Sequence, residues 1–144
     1  MATDRKVKAT VKSDNGFYVG DVCYQMSDED YFGNWSEDFN NFEGEHEIRG
    51  HKFAVAETAY GDGDYVDNEC HRYGVDAGDI GILPLDLCQS KDVTELNRDG
   101  RYIDANQAEF TAHGGVIDIS FDNGIRIHID TRDAENEQEE YDEE

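Results

Sequence analysis

A chain of 144 residues with 37% hydrophobic side chains, eight Tyr, seven Phe and one Trp can bury a core without disulfide or metal staples, and it is too apolar for wholesale disorder. Thirty-five acidic against 12 basic residues leave a formal charge of −23, which favours a soluble monomer, opposes compaction and repels phosphates. The partners selected by such a surface are basic, either a nucleic-acid-binding protein or metal cations. Adaptation to high salt is the bland reading, consistent with only five Lys among the 12 bases.

The opening residues MATDRKVKATVK hold no apolar signal segment, and no run reaches the roughly 18 apolar residues of a membrane helix, so a cytoplasmic protein is expected. KVKATV alternates, with Val7, Ala9 and Val11 on one face, and predicts a strand. SDNG is a turn signal and FYVGDVCY follows, so the first two strands are expected to form a hairpin. Ser27–Trp35, SDEDYFGNW, reads as a short acidic helix. Ser27 caps it, Asp28, Glu29 and Asp30 suit the positive end of its dipole, and Gly33 limits its length.

FAVAETAY, at Phe53–Tyr60, is a third strand. YGV before Asp76 and then IGILPLDL give two short strands around a Gly-rich turn, and Val93–Leu96 gives a short helical turn. AEFTAH, at Ala108–His113, is expected to pair with VIDISF-DNG-IRIHIDT. There Ile117, Ile119 and Phe121 alternate up to the turn Asp122-Asn123-Gly124, and Ile125, Ile127 and Ile129 alternate back.

The expected fold is mainly β: a curled antiparallel sheet, or a small β-sandwich or barrel, with one short acidic helix on its rim. A single β-rich domain spans 1–132. Residues 133–144, DAENEQEEYDEE, with eight acids, read as a solvated, disordered tail. Cys23, Cys70 and Cys88 form no C-x-x-C pair and are expected to be reduced thiols.

No Lys or Arg occurs from Ser13 to Ile48, whereas ten acids do. The candidate partner-binding residues lie here: Asp28, Glu29, Asp30, Trp35, Glu37, Asp38, Glu43, Glu45 and Glu47. Carboxylates interleaved with aromatics can imitate a phosphate backbone and its stacked bases, and a groove of Arg and Lys accepts such a surface. A solvated acidic loop with its aromatics in the core is the competing reading.

The stretch YGDGDYVDNECHRYGVDAGDIG poses a second question. Asp21, Asp62 and Asp76 are lone acids beside Gly at the ends of apolar strands, and a buried carboxylate needs a hydrogen-bond donor, a cation or a metal. Turn chemistry, with neighbouring backbone N–H groups as donors, explains them without function. The sharper reading is a zinc site using Asp21, Asp62, His71 and Asp76, since Zn²⁺ takes four mixed N, O or S ligands. Asp21 and Cys23 would share one face of a strand. An EF-hand is a poor match, because DGDYVDNE lacks the distal bidentate Glu. Cys23 and Cys88 suit a core equally well. Most of His46, His51, His113 and His128 are expected on the surface. No nucleophile elbow, phosphate loop or H-E-x-x-H helix supports catalysis, so an enzyme is not expected.

The pieces NGFYVGDVCY, TAYGDGDY and YGVDAGDIGILPLDL, within roughly residues 13–88, resemble a group of small proteins of gut Firmicutes and their prophages. Cys70-His71 replaces a plain turn of that group. In size, acidity and phage-like character the chain also resembles anti-CRISPR inhibitors of Cas9. That resemblance implies a monomeric, non-enzymatic inhibitor. It would bind a basic, nucleic-acid-handling surface of a type II effector and block nucleic-acid loading.

Overall fold

A computed structural model describes residues 6–26, 44–48, 50–59, 63–75 and 78–133. The helix expected at Ser27–Trp35 and residues 134–144 of the acidic tail lie outside them. The described chain is mainly β, in antiparallel sheets with one helix, as the sequence predicts.

Strand β1 (Lys6–Lys12) buries Val7, Ala9 and Val11 and exposes Lys6, Lys8, Thr10 and Lys12. It pairs with β9 (Gln107–His113), not with β2 (Phe17–Gly20). The expected first hairpin is therefore absent, and SDNG instead carries the chain from one sheet to the other. The arch is held at both ends: Ser13 N–H donates to Asn106 O at 2.9 Å and Leu85 N–H to Gly16 O at 2.9 Å. The physical reason lies in β2, FYVG, which is buried along its whole length. A strand apolar on both faces belongs in the interior of a sheet, and β2 is an interior strand, between β7 (Asp79–Pro84) and β8 (Gly100–Ile103).

Five strands form the larger sheet, in the order β3-β4-β7-β2-β8, with β3 at Gly44–Ile48 and β4 at His51–Glu57. Four form the other, β1-β9-β10-β11, closed by the hairpin of β10 (Val116–Phe121) and β11 (Arg126–Asp130) through the predicted turn. There Gly124 takes φ 95°, a left-handed conformation that glycine adopts without cost. The pairing of AEFTAH with this hairpin is as expected. A separate hairpin joins β5 (Gly63–Val66) to β6 (Arg72–Val75).

The two sheets enclose one core, in which Phe17 and Phe110 are fully buried. The Phe17 and Phe121 rings meet at 5.8 Å across it. Burial of each such ring contributes roughly 1.5–3 kcal/mol. The outer face of the five-stranded sheet carries a second core of Tyr18, Phe53, Leu83 and Leu96, among others. It is capped by α1 (Val93–Asp99), which extends the turn expected at Val93–Leu96. Asp92 caps this helix by accepting Thr94 N–H at 2.9 Å. Two cores account for the run IGILPL, since a strand with a core on each face has no polar side. At Gly81 a Cβ would lie 2.6 Å from Ala54 O, so only glycine fits between the strands there. No helix among the described residues is long and apolar enough to cross a membrane.

Candidate functional site

The described end of the acidic span is β3, GEHEI, an edge strand of the five-stranded sheet. The sequence reading assigns no strand here, because the polar residues hide a two-residue period. Glu45 and Glu47 are exposed on one face, and His46 and Ile48 are half-buried on the other. His46 stacks on Phe53 with ring centroids 5.2 Å apart. Across the pair, Glu47 faces Lys52, whose Nζ lies 3.6 Å from Glu45 Oε2. Beside Glu47 a groove of about 420 Å³ is also lined by Lys12, His51 and Lys52. Asp28, Glu29, Asp30, Trp35, Glu37, Asp38 and Glu43 lie outside the described residues.

The Gly–Asp residues divide differently from the expectation. Strand β2 stops at Gly20, and Val22–Tyr24 form a single 3₁₀ turn capped by Asp21. The Asp21 carboxylate is buried and accepts Cys23 N–H at 3.0 Å. Asp21 and Cys23 are thus the cap and body of a turn rather than two residues on one strand face, because Gly20 releases the chain from the ladder. His71 Nε2 lies 2.5 Å from Gly100 O. A carbonyl only accepts, so that nitrogen carries the proton and only Nδ1 is left for a metal. Asp62 and Asp76 lie outside the described residues. Among those described, no group of three His, Cys, Asp or Glu side chains is arranged to hold an ion. None of the three cysteines is in a disulfide, with Cys70 exposed and Cys88 buried. Burial pushes the Cys88 thiol up to about 12, which keeps it protonated.

The best-defined constellation centres on Asp67, which sequence reasoning passed over. Its side chain is fully buried. Oδ1 accepts the backbone N–H groups of Glu69 (2.8 Å) and His71 (2.9 Å). Oδ2 accepts Tyr73 Oη–H (2.7 Å) and Arg101 Nη1–H (3.0 Å). Burial alone would raise the Asp67 pKa. The bond from Tyr73, the two backbone donors and the Arg101 charge outweigh it and hold the carboxyl below the ordinary range. Tyr73 moves the other way, raised by burial and by Asp67 itself. Arg101, on β8, also donates to Glu69 at 2.7 Å.

The same turn reaches the other sheet. Asp67 forms an isolated bridge with Ile129, Asn68 Nδ2 donates to Arg126 O at 3.2 Å, and His128 N–H donates to Asn68 Oδ1 at 2.9 Å. Residues 67–71 therefore clasp β8 of one sheet and β11 of the other. The signal that could have found Asp67 is an acid two residues beyond a buried Tyr, followed by a tight turn. Cys70 closes that turn in the left-handed region, at φ 68°. With four donors on its two oxygens, Asp67 is suited to holding structure and not to accepting a substrate proton. Elsewhere Glu57 and Asp79 are register partners across β4 and β7.

No family model, no curated protein and no solved structure matches the chain.

Proposed function

We propose that the chain is a non-enzymatic acidic binding protein. Its carboxylates, from Asp28 into β3, occupy a basic, nucleic-acid-handling surface of another protein and block nucleic-acid loading. Cas9 of a type II system is the partner to which the sequence resemblance points. The observation that carries this reading is the base-free span Ser13–Ile48, which ends on an edge strand with Glu45 and Glu47 turned outward. A single-sign field of this size steers encounter with basic surfaces, and carboxylates replace phosphates at Arg and Lys. We infer action as a monomer in the bacterial cytoplasm, where the three cysteines, none of them in a disulfide, stay reduced.

The test is calorimetric titration of Cas9 with the wild type and with a variant neutralised at Asp28, Glu29, Asp30, Glu43, Glu45 and Glu47. Exposed ion pairs contribute about 0.2–1 kcal/mol each, so affinity should fall on the order of tenfold or more. It should also weaken as salt rises. Absence of wild-type binding, or equal affinity of the neutralised variant, refutes the reading. Zinc held by Asp21, Asp62, His71 and Asp76 is the alternative. Stoichiometric zinc in the purified protein, with a melting temperature lowered by chelator, would favour it.

A further inference from the structure

The outer face of the four-stranded sheet runs against the charge of the rest of the molecule. Lys6, Lys8 and Lys12 project from it in alternation along β1, with Arg126 exposed on β11. Lys52, Arg72, Arg98, Arg101 and Arg132 each lie within 3.6 Å of a carboxylate. Lys6, Lys8 and Lys12 have no such partner among the described residues, although acids outnumber bases almost three to one. The carboxylates of the face are already engaged: Asp118 with His128 (2.6 Å), Asp130 with Arg132 (2.8 Å) and Glu109 with Thr10 (2.9 Å). Lys6, Lys8, Thr111, His113 and Arg132 line a cleft of about 470 Å³, to which Asp118 also contributes.

We propose that the acidic C-terminal segment of this chain, residues 134–144, is the ligand of this lysine cleft, with Glu135, Glu137 and Glu139 against Lys6 and Lys8. Three observations select this occupant. The first is where the described chain ends. Lys6, His113, Val116 and Asp130 are register partners in one row across the sheet, and Arg132, just beyond that row, lines the cleft. The segment thus begins at the cleft mouth, on the Lys6 end of the sheet.

The second is period. Glu135, Glu137 and Glu139 alternate, as Lys6 and Lys8 do. In extended chains both sets repeat at about 6.6–7 Å. The third is reach. Crossing from β11 to β1 takes three strand spacings, about 14 Å, and the eleven residues extend to about 36 Å. A tethered acid also has the advantage of high effective concentration over any free anion repelled by the net charge.

The test uses the full chain, isotope-labelled for amide spectra, with Glu135→Gln, Glu137→Gln and Glu139→Gln together. The amides of Lys6, Lys8, Thr111 and His113 should shift while Tyr65 and Tyr73 stay in place. Exposed ion pairs change an equilibrium by about 1.4- to 5-fold each, so acylation of Lys6 and Lys8 should accelerate at least about threefold, with Lys52 unchanged. Raising salt from about 0.01 M to about 1 M shortens the screening length from about 30 Å to about 3 Å and should reproduce the shifts in the wild type. In a second variant, Lys6→Gln with Lys8→Gln, the resonances of residues 135–139 should move. An unmoved cleft in the tail variant overturns the proposal. So does a cleft that responds only to added inorganic polyphosphate, which would make it a site for a foreign anion.

Discussion

The two edges of the five-stranded sheet use the same kind of residue in opposite ways. At the β8 edge, Arg101 and Gly100 O are taken up by Asp67 and His71, and the Asp67 carboxylate is buried under four donors. At the β3 edge, Glu45 and Glu47 are exposed, with Lys52 as their cross-strand neighbour. A buried charge is tolerable only when every lone pair is met, so its environment is rigid and specific. An exposed charge meets water and contributes mainly a field. Charge count alone says nothing about which of the two a carboxylate is doing.

The largest effect expected from this contrast is at Asp67. Asp67→Ala leaves the Tyr73 hydroxyl without its acceptor and Arg101 with Glu69 alone, and should lower the unfolding free energy by about 3 kcal/mol, read from urea denaturation. A loss below about 1 kcal/mol would place Asp67 with the surface acids, whose pairs are worth no more than that. The sign of the pH dependence follows from the depressed carboxyl. Its contribution is fully present above the ordinary carboxylate range and is lost as pH falls through the lowered folded value. The stability gap between wild type and Asp67→Asn should therefore narrow in acid.

Next in size is the coupling within the cluster. Adding Arg101→Met to Asp67→Asn removes both members of the pair and leaves no buried charge alone. The double variant should be more stable than the sum of the singles predicts, by about 1–2 kcal/mol. Additive losses would mean that the two side chains act separately. Smaller again is Asn68→Ala, which deletes two bonds to β11 and should cost about 1 kcal/mol. If it costs nothing, the hold on β11 rests on the Asp67–Ile129 bridge and not on Asn68.

How far this was legible in the sequence depends on which residues carry the signal. The β10–β11 hairpin was readable because Ile117, Ile119, Ile127 and Ile129 alternate around Asn-Gly, and period and turn agree. SDNG bears the same turn signal and misleads. The hairpin reading takes no account of β2 being buried on both faces, or of the affinity of β1 for a strand nearly a hundred residues away. Strands β3, β5 and β8 are short, and their polar or glycine positions mask the period. Turn chemistry is one of the two readings of Asp21, Asp62 and Asp76, and Asp21 caps a turn, whereas Asp62 and Asp76 lie outside the described residues. The weight falling on Asp67 was not legible, because its partner Arg101 is 34 residues away, and local spacing cannot report such a contact.

The smallest stability effect belongs to the acidic edge, and there the comparison can fail most cleanly. Glu45→Gln with Glu47→Gln removes exposed carboxylates whose ion-pair partner among the described residues, Lys52, is 56% exposed. The pair with Lys52 is screened by water, while self-repulsion in a chain of charge −23 works against every added acid. The two terms oppose each other, so the unfolding free energy should change by less than about 0.5 kcal/mol, in either direction. Affinity for a basic partner should fall in the same variant, since that carboxylate field is removed from the binding side only. A variant that keeps full affinity but loses several °C of melting temperature would reverse the assignment, making β3 a structural edge and leaving recognition to other acids.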